Sequence, residues 1–134
     1  HEFYRLSEVF RVLRPGGFFI TQQVGGANNR ELSEALIPGY KPAMPDFNLE
    51  NELPRFQKAG FRVMSRSQCY VKTTFTDIGA VCYYAKVLPW EFPGFSVEGS
   101  FERIRRLYRR LCEEGSIVTT CHRFILVAKR PGKA

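Results

Sequence analysis

The stretch from Phe3 to Gly26 constrains this chain most. Phe3, Leu6, Val9, Phe10 and Leu13 recur at intervals of three and four, which is one apolar stripe of a helix, while Arg5, Glu8 and Arg11 fall outside it. Pro15 stops that helix and Gly16-Gly17 permit the positive φ of a sharp reversal. A strand, Phe18 to Val24, follows. Its first half, Phe18-Phe19-Ile20, is apolar without alternation and predicts a strand covered on both faces. Thr21, Gln22 and Gln23 put polar groups at its C-terminal end, where open α/β sheets bind ligands.

The rest of the chain repeats this logic. Gly25 to Asn29 reads as a flexible loop, Arg30 to Leu36 as a short helix, and Pro38 to Pro45 as an irregular connection. Leu49, Leu53, Phe56 and Ala59 form a helical stripe; either Asn48 or Asn51 can cap it, and Pro54, which suits only a first turn, favours Asn51. Gly60 ends that helix, and a strand from Phe61 runs to about Val71 with an irregularity near Ser67. Ile78, Val81, Cys82, Ala85 and Leu88 make another stripe, capped by Thr76 or Asp77. Trp90, Phe92 and Phe95 then gather in a turn-rich loop, either a lid over an apolar substrate or a satellite core. Ser100 is placed to cap a helix whose buried stripe reads Phe101, Ile104, Leu107, Tyr108 and Leu111, and Gly115 stops it. Ile117 to Lys129 is a long strand, apolar on both faces at Phe124 to Ala128, and belongs in the middle of a sheet. Arg130 to Ala134 reads as an exposed tail.

Glu8-Val9-Phe10-Arg11-Val12-Leu13-Arg14-Pro15-Gly16-Gly17 with its strand, and the later Leu-x-x-Phe-x-x-Ala-Gly-Phe-x-Val unit, resemble the C-terminal half of class I S-adenosylmethionine-dependent methyltransferases. The resemblance implies an α/β fold with a three-stranded mixed sheet in the family's order 5-7-6, the last strand antiparallel and central, with flanking helices. Residues 1–134 are then the C-terminal part of one methyltransferase domain, with 73–115 an inserted helical cap. It also implies a place for each candidate. His1 would be the general base beside the transferred methyl group. Glu2, Gln22, Gln23 and Gly25 would border the acceptor cleft, with Tyr84 and Trp90 reaching it from the cap.

The family's glycine-rich loop after the first strand, and the acidic residue ending the second, have no counterpart here. Gly25-Gly26 is no substitute, because that fingerprint needs a helix opening directly from it. The expectation is a fragment, supported by a start without Met close to a helix, that is inactive alone and does not bind S-adenosylmethionine tightly. Its acceptor is a small molecule, and an unpaired edge of Phe18 to Val24 would pair with a second copy to make a homodimer. His122 and Asp77 read as a satisfied strand histidine and a helix cap.

Composition bounds the alternatives. The 134 residues, 44% hydrophobic and 14% aromatic, make one globular domain. No apolar run approaches the ~20 residues that cross a bilayer, and no secretory leader is legible, so the expected location is cytoplasmic. Cys69, Cys82, Cys112 and Cys121 show no metal-ligand spacing and are expected as reduced core residues. The distribution of the net charge of +7 decides little, although Arg103, Arg105, Arg106, Arg109 and Arg110 crowd one helix. Its neighbouring glutamates favour a solvated face over a nucleic-acid site. A self-contained ligand- or partner-binding α+β module is the main rival reading, and a basic nucleic-acid binder the second.

Overall fold

The computed structural model describes residues 3–132. Its elements are α1 (Leu6–Val12), β1 (Phe18–Val24), α2 (Arg30–Leu36), α3 (Leu49–Lys58), β2 (Arg62–Phe75), α4 (Ile78–Val87), α5 (Phe101–Glu114) and β3 (Ile117–Lys129). The strands form a three-stranded open α/β sheet in the order β1-β3-β2, with β3 central and antiparallel to its neighbours. The β1–β3 register runs from Phe18 opposite Lys129 to Val24 opposite Arg123.

The α1-to-β1 turn closes as its residues dictate. Gly16 sits at φ +81°, and the Gly17 amide donates to the Arg14 carbonyl at 2.8 Å. Arg130 anchors the same turn, donating to the Phe10 and Leu13 carbonyls at 2.7 and 2.6 Å with its guanidinium over the Phe10 ring. These contacts satisfy carbonyls that a helix end leaves without partners. Arg130 is therefore a helix cap rather than the start of an exposed tail.

The chain divides into two compact units: one comprises the described residues up to Gly26, Met44–Tyr70 and His122 onward, and the other Ala27–Ala43 and Val71–Cys121. In the first, Leu6, Phe56, Phe61, Phe124, Leu126 and Ala128 form a core with Val9, Phe10 and Phe19 packed on it. In the second, the core is Leu32, Leu36, Val81, Ala85, Phe92, Leu107 and Ile117. β3 serves both, burying Ile117 and Thr119 and then, after the alternation slips by one residue, His122, Phe124, Leu126 and Ala128.

Several local expectations fail for physical reasons. β1 is not covered on both faces: Phe18 is 53% and Ile20 63% exposed, because α1 and α3 pack on the other side. Ile125 at the centre of β3 is 37% exposed for the same reason. Phe3 lies outside α1 and is exposed. Asn48, not Asn51, caps α3, its side chain accepting from the Asn51 amide at 2.9 Å. Pro54 thus stands inside the helix, where the Glu50 carbonyl loses its usual donor on an exposed turn open to water.

Asp77 caps α4 through the Ala80 amide at 2.7 Å, but Ser100 caps nothing and donates instead to the Leu36 carbonyl. Phe101 and Tyr108 of α5 are exposed, so its buried stripe is narrower, built on Ile104 and Leu107. β2 continues to Phe75 as one strand. No cysteine is buried; Cys69 and Cys112 are exposed, Cys82 and Cys121 half-buried, and all four are free thiols. Among the described residues no helix is long and apolar enough to cross a membrane, and no cluster of His, Cys, Asp and Glu could hold a metal ion.

Candidate functional site

The C-terminal end of β1 is built around a pair of glycines and a histidine. Alternation turns Gln23 inward, 3% exposed, its amide donating to Thr21 Oγ1 at 2.7 Å, and leaves Gln22 outward. The Gly25 amide donates to the His122 carbonyl at 3.0 Å, which lays the imidazole on the glycine itself. A Cβ on Gly25 would stand 2.0 Å from His122 Nδ1. Gly26 is equally enclosed: its amide donates to the Phe47 carbonyl, and a Cβ there would stand 1.9 Å from the Met44 carbonyl oxygen. The expected flexible loop begins as packed backbone.

His122 is 1% exposed. Its Nε2 lies 2.8 Å from Gln68 Oε1, which also accepts from the Leu49 amide at 3.1 Å, while Gln68 Nε2 donates to both Glu50 carboxylate oxygens. Since the amide oxygen only accepts, Nε2 carries the proton. Tyr70 stacks on the imidazole at 4.5 Å between centroids. Burial lowers the His122 pKa, the Glu50 charge opposes that, and Arg123 adds to it, with a net downward shift. A neutral imidazole wedged between Gly25, Tyr70 and Gln68 fixes where three segments meet and acts as a pin.

Beside Gly26, an open cavity of about 670 Å³ is lined by Met44, Pro45, Asp46, Phe47, Asn51, Glu52 and Arg55. Glu52 is 3% exposed and accepts from the Tyr4 hydroxyl at 2.9 Å and from the Arg55 guanidinium. Burial, and then the Glu52 carboxylate, push the Tyr4 phenol well above its usual range. This buried carboxylate escaped the sequence reading. Its signal was an acid three residues after Leu49 and four before Phe56, on the stripe that faces the core. The cavity offers two acids, one guanidinium and an apolar rim of Met44 and Phe47, a surface for a small polar molecule with apolar parts.

The other unit holds a separate polar cluster. Asn29 is fully buried at φ +52°, a left-handed conformation that Asn tolerates better than most residues. Its amide nitrogen donates to the Tyr84 hydroxyl at 2.8 Å and to Glu91, and Asn28 donates to Glu91 at 2.6 Å. Ser33 Oγ donates to the Glu91 carbonyl at 3.0 Å. Asn29 Oδ1 is buried with no hydrogen-bond donor among the described residues.

The candidates therefore separate. Gln22, Gln23 and Gly25 share one strand end, with only Gln22 exposed. Tyr84 belongs to the Asn29 cluster, and Trp90 is 63% exposed, whereas Phe92 of the same loop is core. His1 and Glu2 lie outside the described residues. The residues present do not fit S-adenosylmethionine at Gly25-Gly26, since the space a cofactor would need beside that backbone is filled by His122 and Met44.

No family model and no curated protein matches the chain. Among solved structures it is similar to a protein of Bacillus halodurans C-125 described as a "putative methyltransferase". The TM-score is 0.53 at 14% identity, over 94% of this chain and 56% of that one. The fold is methyltransferase-like, and the chain spans little more than half the length of that relative in structure.

Proposed function

We propose that this chain forms the acceptor-side, C-terminal portion of an S-adenosylmethionine-dependent methyltransferase, and that it is inactive without the remainder of such a fold. The observation that carries the reading is the fold match itself: 94% of this chain lies on 56% of a methyltransferase-like structure, with β3 central and antiparallel. On this reading the cavity lined by Asp46, Glu52 and Arg55 receives a small-molecule acceptor, and Gln22 borders the cleft from the strand end. The cofactor would supply an activated methyl group. On this reading its binding loop would belong to a part of the fold outside these residues, in keeping with the filled space beside Gly25 and Gly26. The free edge of β1 would then pair with a further strand.

Calorimetric titration of S-adenosylmethionine into this chain, and into the longest gene product that contains it, tests the proposal. Binding by the longer product alone is expected. Binding by neither, or tight binding by this chain alone, would overturn it.

A further inference from the structure

In the first unit α1 and α3 cover one face of the sheet, and the other face stays open. Phe18, Ile20 and Gln22 alternate along it on β1, and Lys129, Val127 and Ile125 stand opposite them on β3. Phe18, Ile20, Ile125 and Met64 of β2 are 53, 63, 37 and 47% exposed. A groove of about 170 Å³ runs between Gln22, Ser67, Cys69, Arg123 and Ile125. An antiparallel sheet can leave one face to solvent when that face is polar, but a contiguous exposed apolar strip of this kind marks a binding surface.

Charge narrows the occupant. None of the three strands contains Asp or Glu, while Arg62, Arg66, Arg123 and Lys129 lie on their first-unit portions. Lys129 reaches over the Phe18 ring, 5.3 Å from its centroid, so a cation sits at the apolar patch itself. A second copy docking face to face would set these cations against their own kind, which costs affinity.

We propose that the open face binds an amphipathic helix of another polypeptide segment, its apolar stripe on Phe18, Ile20, Val127 and Ile125 and its flanks carrying carboxylates toward Arg62 and Lys129. The inference rests on exposure and charge and does not require the methyltransferase reading.

The probes are two synthetic helices of about 18 residues, long enough to hold helical structure. They share a leucine stripe at i, i+3, i+4 and i+7, one with Glu flanks and one with Lys flanks, and binding is read by fluorescence anisotropy. The Glu-flanked helix should bind at least about tenfold more tightly, with the difference shrinking as salt rises. Arg62→Glu with Lys129→Glu should invert that preference, and Ile20→Asp should abolish binding of both peptides. Should Ile20→Asp lose the native circular dichroism, Ile20→Thr, with high strand propensity, takes its place. Equal affinities for the two peptides would overturn the inference. So would a dimer that Ile20→Asp dissolves, or partition onto phosphatidylserine vesicles without peptide selectivity.

Discussion

Replacing Gly25 by Ala tests whether the histidine pin holds the end of β1. The new Cβ would lie 2.0 Å from His122 Nδ1, and ordinary contact begins near 3.4 Å, so backbone or ring must move by about 1.4 Å. If the ring moves, the Tyr70 stack and the Gln68 hydrogen bond go with it. If the strand end moves, the Gly25-to-His122 backbone bond at 3.0 Å goes instead. A lost ring pair costs ~0.5–1.5 kcal/mol and a buried polar group left unpaired ~1–3 kcal/mol, so about 2–4 kcal/mol is expected. Urea denaturation followed by tyrosine fluorescence and circular dichroism should show the midpoint fall by about 1–2 M at unchanged slope. The same substitution in a His122→Ala background should cost almost nothing more, because the obstructing ring is gone. A loss below about 0.5 kcal/mol, the scale of ordinary surface changes, would refute the reasoning. So would an equal loss in both backgrounds.

Two further outcomes follow from the polar clusters. His122 ionises below its usual 6.5 in the folded chain, so the unfolded chain binds more protons between that folded value and 6.5. Stability should hold above about pH 7, decline as pH falls through about 6.5 and level off below the folded pKa, and His122→Gln should flatten that decline in denaturant titrations across the range. Asn29→Asp would set a buried carboxylate against Glu91, which now accepts the Asn29 amide. The expected cost is about 3–5 kcal/mol near neutral pH, partly recovered in acid as one carboxylate takes a proton, and thermal melts at both pH values check it.

The candidate site was only partly legible in the sequence, and the reasons are specific. Gln22 and Gln23 could be placed at a strand end from polarity and alternation alone. Which one faces out depended on α1 and α3 covering the Gln23 side. Gly25 and Gly26 looked like flexibility because a glycine pair is ambiguous: it allows unusual backbone angles and also close approach. Here close approach decides, and the residues that approach, Met44 and His122, are distant in sequence. Tyr4, Glu52 and Arg55 meet beside the cavity across a separation of 48 residues between Tyr4 and Glu52, which no local pattern encodes.

What the sequence determined by itself was the order of elements and the place of β3. Periodicity, the Pro15-Gly16-Gly17 turn, Gly60, Gly115 and the Asp77 cap are local constraints, and an apolar run such as Phe124 to Ala128 already predicts a central strand. The tertiary structure alone decided which faces those elements bury. Phe18 and Ile20 are as hydrophobic as Phe19 and Leu126, yet Phe18 and Ile20 stay exposed, because burial depends on which side a helix packs rather than on the residue itself. The same packing set His122 between Gly25, Tyr70 and Gln68, since a hydrogen bond across 54 residues exists only once the chain has folded.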